Sequence, residues 1–348
     1  FRPDGSLLWR SERLAGRIGS PSVADLDADG APEVLVGPVV LDDSGRVRWA
    51  IRTGPATGRG THVNHDIAVP VDLDLDGRLE VLSGNAAFRA DGSTYWHATG
   101  LPDGFVAVAN LDADPWPEVV LIAQGNLYAL EHDGTPRWGP VALPGGTTRN
   151  RGGPPLVADL DGDGAPEIGV AGGTRYTVFG TEGAVRWSSP IVDTTSNAAG
   201  GTAFDFDRDG AWEVVYADET RLRVFDGRDG REIWTYARGS STQVDNPIVA
   251  DVDGDGQAEI AVTANDFFSG RARGVLVFGD AARSWAPTHA RWNQHAYHVD
   301  NIGPLLDVPR FPAPSWLGHN TFRVNPPLGP PGAALPDLTA SRIDVQPR

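Results

Sequence analysis

The stretch that decides the fold is Asp159-Leu-Asp-Gly-Asp-Gly-Ala-Pro-Glu167, an acidic nine-residue loop that the apolar run Ile168-Gly-Val-Ala171 follows directly. Carboxylates occupy positions 1, 3, 5 and 9 of this loop, and glycine occupies position 6. The pattern recurs along the chain, and each copy precedes a β-branched or apolar run, so each loop is expected to lead into a strand. Complete copies begin at Asp25, Asp72, Asp159, Asp205 and Asp251, and an altered copy begins at Asn110.

A hairpin that ends in tryptophan alternates with the acidic loop. Seven tryptophans recur at intervals of 40 to 51 residues, and a glycine turn lies four residues before each, except that the last turn is Asp280-Ala281. Strand, Asp-Gly turn and strand together are the signature of a β-hairpin. We interpret these tryptophans as core residues between neighbouring repeats rather than as sugar-stacking surfaces. The series is Trp9, Trp49, Trp96, Trp138, Trp187, Trp234 and Trp285.

One repeat is therefore strand, acidic loop, strand and hairpin, which matches the four strands of a propeller blade of about 40–50 residues. The sequence predicts an all-β protein, a β-propeller over residues 1–325 with seven four-stranded blades. Six complete repeats fill residues 10–285, and residues 1–9 and 286–325 are expected to form a split seventh blade that closes the ring and hides its edges. Residues 326–336 read as a Pro/Gly-rich linker, and residues 337–348 as the first strand of a further β domain.

The acidic loops are predicted to bind calcium. Side chains at positions 1, 3 and 5, the backbone carbonyl at position 7 and the carboxylate at position 9 supply hard oxygen ligands in a flexible cage, which favours Ca²⁺. The alternative is that Asp and Gly merely cap turns. The predicted ligands are Asp25, Asp27, Asp29, Ala31 and Glu33 in loop 1; Asp72, Asp74, Asp76, Arg78 and Glu80 in loop 2; Asp159, Asp161, Asp163, Ala165 and Glu167 in loop 4; Asp205, Asp207, Asp209, Ala211 and Glu213 in loop 5; and Asp251, Asp253, Asp255, Gln257 and Glu259 in loop 6.

Loop 3 departs from this pattern, because Pro115 replaces the glycine and Asn replaces the first Asp. We expect this site to be weak or vacant; its residues are Asn110, Asp112, Asp114 and Glu118. Five calcium ions would change the formal net charge from −17 to −7, which accounts for much of the acidic excess. Without metal the clustered carboxylates repel one another, so folding and metal binding should be coupled.

The Asp-x-Asp-x-Asp-Gly-x-x-Glu loops resemble the FG-GAP/VCBS repeats of integrin-type propellers and of many bacterial surface proteins, and the resemblance covers residues 10–285. It implies a calcium-binding propeller, although the family more often has Asp at position 9. The hairpins with their closing Trp also look like the blades of quinoprotein dehydrogenases and outer-membrane assembly propellers. Residues 337–348 resemble the start of a CARDB-like adhesion domain, and residues 291–298 resemble a C-terminal element that follows such repeats in some bacterial surface proteins.

Further candidate sites lie outside the loops. A polar and aromatic cluster could be a glycan-binding or catalytic patch, or simply a closing segment packed against the first and last blades; it comprises His289, Arg291, Trp292, Asn293, Gln294, His295, Tyr297 and His298. A second cluster, which more often holds a loop than performs catalysis, comprises His62, Asn64, His65 and Asp66. Trp116, Trp212 and Trp316 lie off the tryptophan series and are candidate ligand contacts.

Composition restricts the possible partners. The charge of −17 has the wrong sign for nucleic acid or an anionic membrane surface, and no apolar stretch is long enough to span a bilayer. The chain has no cysteine, and all 29 basic residues are arginine, so thiolate and lysine chemistry are excluded. We therefore expect a non-enzymatic, calcium-stabilised adhesion, binding or scaffolding module of a secreted bacterial surface protein, with an extracellular protein or polysaccharide and adjacent domains of the same chain as partners. A lyase-like polysaccharide-active enzyme is the first alternative, and a quinone-dependent dehydrogenase ranks last.

Overall fold

The structure is a computed structural model that describes residues 1–2, 4–14, 19–37, 39–51, 67–146, 152–241, 245–265 and 273–329. These residues form 23 short strands in six small antiparallel sheets, five of four strands and one of three. The only helical elements among them are a 3-10 turn, Val299–Asn301, and one α-helical turn, α1, Ser315–Gly318. The predicted all-β class is therefore confirmed, in a propeller-like arrangement.

The strands of every sheet follow chain order. Sheet 1 contains β1 (Pro21–Ala24), β2 (Glu33–Val36), β3 (Val39–Leu41) and β4 (Val47–Ala50), and sheet 2 contains β5 (Val69–Val71), β6 (Glu80–Ser83), β7 (Ala86–Phe88) and β8 (Thr94–His97). Sheet 3 contains β9 (Phe105–Ala109), β10 (Glu118–Ala123), β11 (Asn126–Leu130) and β12 (Pro136–Ala142), and sheet 4 contains β13 (Leu156–Ala158), β14 (Glu167–Ala171), β15 (Arg175–Phe179) and β16 (Val185–Pro190). Sheet 5 contains β17 (Thr202–Phe204), β18 (Glu213–Ala217), β19 (Arg221–Phe225) and β20 (Glu232–Ala237), and sheet 6 contains β21 (Ile248–Ala250), β22 (Glu259–Asn265) and β23 (Arg273–Phe278).

Each acidic loop joins the first and second strands of its sheet, and each glycine turn follows the third strand. The loops and the glycine turns of a sheet thus lie at the same end of its strands. The glutamate at loop position 9 is the first residue of the second strand in all six sheets. The repeat unit deduced from the sequence is therefore the structural unit.

The tryptophan series packs one repeat against the next. Trp96 in sheet 2 lies so close to Gly134 in the sheet 3 turn that a Cβ built on this glycine would be 2.5 Å from the indole, and the indole nitrogen donates to the carbonyl of His132 at 2.8 Å. Equivalent indole-to-turn hydrogen bonds link sheets 1 and 2, 3 and 4, and 4 and 5. The interpretation of the series as inter-repeat core is confirmed for these repeats.

The seven-blade count is not confirmed. The described part of the chain holds six sheets, and residues 286–325 contain no named strand, so the predicted split seventh blade is absent as a sheet. Five prolines lie in this segment, and each removes a backbone donor that a strand ladder needs. Residues 1–9 keep the predicted turn, in which the amide of Gly5 donates to the carbonyl of Arg2, and Trp9 packs on Gly45.

Residues 286–329, here called the closing segment, connect the first strands of several sheets instead. Gln294 Oε1 accepts from the amide of Val23 in β1, and Asn325 Nδ2 donates to the carbonyl of Val249 in β21. Between these points Phe322 forms a β-bridge with Val157 in β13. The segment thus joins sheets 1 and 6 through irregular backbone. Residues 330–348, which include most of the predicted linker and the predicted CARDB-like strand, lie outside the described residues.

Candidate metal centres in the acidic loops

The glutamate at position 9 closes each loop. Its Oε2 accepts a hydrogen bond from the backbone amide at position 2, with N···O distances of 2.5–3.0 Å in all six loops. The side chain is buried in every case, with at most 6% of its surface exposed. The longer arm of Glu relative to Asp reaches across the loop, which explains why this residue can begin a strand and still contribute to the loop. The six residues are Glu33, Glu80, Glu118, Glu167, Glu213 and Glu259.

The aspartates at positions 1 and 5 hold the loop backbone. In loop 2, Asp72 accepts from the amides of Asp76 and Gly77, and Asp76 accepts from the amide of Arg78 at position 7. The other four complete loops repeat this arrangement, with small changes of donor, at Asp25, Asp159, Asp205 and Asp251 and at Ala31, Ala165, Ala211 and Gln257. Turn capping therefore does occur. Turn capping uses some of the carboxylate oxygens of each loop and leaves the others without a backbone donor.

The oxygens that remain converge inside the loops. In five loops, three carboxylate oxygens lie within 4.8 Å of one another, as in the group Asp159, Asp161 and Glu167. Four of the inward oxygens are buried and have no hydrogen-bond partner: Asp27 Oδ1, Asp74 Oδ1, Glu118 Oε1 and Glu167 Oε1. A buried acceptor without a donor is costly, so these atoms fit a bound cation. Several oxygens around one point are the ligand set that Ca²⁺ takes.

Burial and mutual repulsion perturb the carboxylates strongly. Burial, together with repulsion from the neighbouring aspartates, raises the pKa of Glu80, Glu118, Glu167 and Glu259 to about 7. Burial also raises the pKa of Asp205 to about 6. A divalent cation among these groups would act in the opposite direction, since it favours the charged form. The folded protein therefore disfavours the charged form of these loop carboxylates when no cation is bound.

Five loops also carry an arginine partner that the sequence patterns did not single out; in loops 5 and 6, Arg228 pairs with Asp209 and Arg283 with Asp255. Arg48 binds Asp27 at 2.7 Å and Glu33 at 2.5 Å, and Arg89 binds Asp74 at 3.1 Å and Glu80 at 3.2 Å. Arg137 binds Asp112 in loop 3 at 2.6 Å. Arg48 and Arg137 each directly precede a tryptophan of the series, whereas Arg89 lies seven residues before Trp96, so only the first two share a position in the repeat. In loops 1 and 2 the arginine pairs with Oε1 of the glutamate as well as with Oδ2 of the aspartate, and it leaves Asp27 Oδ1 and Asp74 Oδ1 without a partner.

Loop 3 is held by protein contacts at the points where its sequence departs from the pattern. The backbone amide of Asn110 donates to Oδ1 of Asn320, and the backbone carbonyl of Asn110 accepts from Nδ2 of Asn320, both at 2.8 Å. The carbonyl of Pro115 accepts from the Trp316 indole nitrogen at 3.0 Å. Asp112, Asp114 and Glu118 still approach one another within 4.8 Å. The weak or vacant site expected here stays a prediction. The altered residues Asn110 and Pro115 are the ones that contact the closing segment.

The aromatic and histidine cluster lies within the closing segment and is largely internal. Tyr297 and His298 are buried, Trp292 stacks on Tyr297, and burial lowers the pKa of His298 to about 4. The packing interpretation of this cluster fits these contacts. The second cluster, His62, Asn64, His65 and Asp66, lies outside the described residues.

The three tryptophans outside the series differ in exposure. Trp316 is buried against loop 3, and Trp212 packs on the core of sheets 4 and 5, where its amide donates to Leu160 of loop 4. Trp116 is 39% exposed and stacks on His132 at 5.3 Å. Of the three, Trp116 is the one that stays accessible for a ligand.

The sequence patterns missed a buried ionic cluster at the opposite end of the strands. Arg238 is almost fully buried and pairs with Asp245, while its other nitrogen donates to the carbonyl of Asp218. Asp245 in turn accepts from Thr263 of β22. This cluster ties sheets 5 and 6 together. A single arginine and a single aspartate outside any motif offer no signal in the sequence.

Comparison with known proteins agrees with these observations. A family model for the FG-GAP-like repeat matches residues 110–170 and 205–262, which include loops 3 to 6. The fold is similar to that of the V. cholerae biofilm matrix protein Bap1, with a TM-score of 0.73 and 19% identity over 92% of this chain and 79% of that chain. It is also similar to the exotype rhamnogalacturonan lyase YesX, with a TM-score of 0.53 and 17% identity over 93% of this chain and 54% of that chain. A comparison with curated proteins finds no match.

At these identities the likeness to solved structures shows the fold alone. No helix in the described part of the chain is long and apolar enough to cross a membrane. The repeat pattern, the six sheets and the family match agree with one another. The chain therefore contains FG-GAP-like repeats arranged in a propeller-like all-β fold that is similar to the fold of a biofilm matrix protein.

Proposed function

We propose that this protein is a calcium-stabilised, extracellular, propeller-like module that serves adhesion or scaffolding in a bacterial surface or matrix assembly. The observation that carries the proposal is the set of buried, unpartnered carboxylate oxygens inside the repeated loops. Extracellular calcium modules bind at about 10⁻⁴–10⁻³ M, so filling such sites requires a calcium-rich compartment outside the cell.

Calcium in these loops would act on the fold as a whole, because the loops are connected. The carbonyl of Leu26 in loop 1 accepts from the amide of Leu79 in loop 2, and Leu160 in loop 4 accepts from Trp212 in loop 5. The closing segment adds further links, since Arg310 donates to Ala28 in loop 1 and Arg208 in loop 5 donates to Leu328. Ordering one loop therefore favours the order of its neighbours. A rigid, extended display surface suits a module that holds partners or domains at fixed positions.

The adhesion or scaffold role draws support from the fold shared with a biofilm matrix protein. We propose a binding module rather than an enzyme because the repeated motifs are all architectural and the one aromatic and histidine cluster in the described residues packs into the closing segment. This chain covers only 54% of the chain of that lyase. Release of unsaturated oligosaccharides from rhamnogalacturonan by the purified protein would overturn the non-enzymatic part of the proposal.

Thermal unfolding in excess EDTA and then across a Ca²⁺ titration tests the calcium part, with Mg²⁺ as the control ion. At calcium concentrations of 10 to 100 times Kd, each occupied site adds about 1.4 to 2.7 kcal/mol to the free energy of unfolding. We expect a large rise in Tm with Ca²⁺ and little with Mg²⁺, because Mg²⁺ dehydrates reluctantly and demands octahedral geometry. An unchanged Tm would leave the acidic loops as turn caps and refute the proposal.

A further inference from the structure

A charged cleft of about 240 Å³ lies between sheets 1 and 2, on the side of the acidic loops. Its walls come from loop 1, β4, loop 2 and the glycine turn of sheet 2. The lining is almost entirely ionic, with three arginines and four acids around the single apolar residue Ala90. The charged residues are Arg48, Arg78, Arg89, Asp27, Asp76, Glu80 and Asp91.

The three arginines reach this cleft from three different positions of the repeat. Arg48 directly precedes Trp49 of the tryptophan series, and Arg78 occupies position 7 of loop 2. Arg89 lies two residues before the Asp91-Gly92 turn of sheet 2. Position 7 is Ala, Trp or Gln in the other five loops, so the arginine there is specific to loop 2. The convergence is therefore a local feature of this cleft and no consequence of the repeat.

Loop carboxylates occupy two of the three guanidinium groups. Arg48 bridges Asp27 and Glu33, and Arg89 bridges Asp74 and Glu80 while lying 4.4 Å from the ring centre of Tyr95. The third, Arg78, has an exposed side chain and forms no ion pair within the described residues. Asp27 and Asp74 each keep one buried oxygen without a partner, so both loops offer an oxygen to a cation even while the arginines are paired.

We infer that the cleft is a calcium-dependent binding site for the carboxylated sugar units of an acidic polysaccharide. The inference rests on the proposed calcium sites. The lining has a formal charge of −1, and two Ca²⁺ ions in loops 1 and 2 change the local balance to +3. The same ions compete with Arg48 and Arg89 for the loop carboxylates and so release guanidinium groups toward the cleft. Guanidinium groups bind carboxylates in bidentate geometry.

A sugar matches the lining better than an acidic peptide does. Asp91 lines the cleft from the turn and lies outside the loops; its Oδ1 accepts from the amide of Ser93, so its other oxygen stays available as an acceptor when calcium is bound. A uronic acid carries a carboxylate for the arginines and hydroxyl donors for such an acceptor on one ring, whereas an acidic peptide offers its side-chain carboxylates and has only backbone amides as donors. The cleft volume also suits about one sugar ring, since pockets for drug-sized ligands begin at about 300 Å³.

The test is isothermal titration of the whole protein with trigalacturonate, in Ca²⁺ and in EDTA, with neutral maltotriose as a control ligand. We expect binding of trigalacturonate in Ca²⁺ and none in EDTA. Arg78→Gln should weaken binding about tenfold, since one charged hydrogen bond is lost. Arg78→Gln keeps the backbone carbonyl at position 7 and removes no ion pair of the loops. Arg186→Gln is the matched control, because Arg186 is exposed, precedes Trp187 as Arg48 precedes Trp49, and lies in sheet 4.

The possible results separate this inference from the proposed function. If Ca²⁺ raises Tm but trigalacturonate does not bind, or binds Arg78→Gln as tightly as the unaltered protein, the cleft inference is wrong and the calcium proposal stands. If Ca²⁺ does not raise Tm, the proposed function fails first. If a short polyglutamate binds as tightly as trigalacturonate, the cleft recognises carboxylates without regard to sugar, which overturns the assignment to polysaccharide.

Discussion

The contact between each series tryptophan and the next glycine turn is a quantitative test of how the repeats hold together. In Gly134→Ala, the new Cβ would lie 2.5 and 2.7 Å from the Trp96 ring atoms Cδ2 and Cε3, and the backbone φ of +81° disfavours any side chain. The indole cannot move away freely, because it is buried and its nitrogen donates to His132. The substitution must therefore strain the backbone and displace the tryptophan.

The magnitude follows from three contributions. Alanine in the left-handed region costs about 1–2 kcal/mol. Overpacking of a dense interface costs about 1–3 kcal/mol. Weakening the indole hydrogen bond costs about 1 kcal/mol. We expect Gly134→Ala to lower the free energy of unfolding by about 3–6 kcal/mol.

Two other glycines at the same turn position provide matched comparisons. Gly5 has nearly the same φ, +80°, but a Cβ there meets nothing within 4 Å, so Gly5→Ala should cost only the backbone contribution of about 1–2 kcal/mol. Gly183 is intermediate, with its closest indole atom of Trp138 at 3.0 Å. Chemical denaturation in saturating Ca²⁺, followed by tryptophan fluorescence, should rank the three losses in the order Gly134, Gly183, Gly5. If Gly134→Ala and Gly5→Ala lose the same stability within 0.5 kcal/mol, the stacking between repeats contributes little and the reasoning is refuted.

Three further predictions concern charge. In EDTA the free energy of unfolding should fall as pH rises from 4.5 to about 7, because the carboxyl of Glu80 keeps its proton up to a pKa of about 7 in the folded protein but loses it near 4.5 in the unfolded chain. In Ca²⁺ the free energy of unfolding should instead rise with pH, because the bound cation favours the charged carboxylate. Urea denaturation at several pH values across this range measures both slopes. Glu167→Gln should stabilise the protein in EDTA, since it removes a buried charge, yet reduce the gain in Tm from Ca²⁺; an unchanged calcium response would exclude Glu167 as a ligand. Asp245→Ala should lower the free energy of unfolding by about 3–5 kcal/mol, because it leaves Arg238 buried without its counterion, and a loss below 1 kcal/mol would show that water reaches this arginine.

Much of the candidate site could be predicted from the sequence because the calcium pattern is local. The nine residues of each loop contact one another through hydrogen bonds that span at most seven positions, such as that from Leu160 to Glu167. The order of the strands is local in the same sense, since neighbours in a sheet are neighbours in the chain. The pairing of each tryptophan with the following turn was also within reach, because every repeat places its tryptophan four residues after the turn and neighbouring repeats pack side by side.

The seventh blade could not be decided in this way. The sequence left residues 1–9 and 286–325 as the only partners for ring closure, and a sheet was the natural expectation. The structure shows a proline-rich closing segment whose contacts, such as Gln294 with Val23, join residues more than 270 positions apart. A segment that occurs once has no repeat from which its structure could be predicted. Its prolines also lack the backbone donors that the strands of a blade need.

The sequence by itself determined the repeat, its four strands, the acidic loops and the carboxylates that converge inside them, because all of these depend on backbone geometry within one repeat. Only the tertiary structure decided how the ends meet, why loop 3 lost its glycine, and which arginines share a cleft. Arg48, Arg78 and Arg89 occupy unrelated positions in the sequence and meet because sheets 1 and 2 pack side by side. Coulombic interactions depend on distance in space, and the distances between repeats are set by packing that no single repeat encodes.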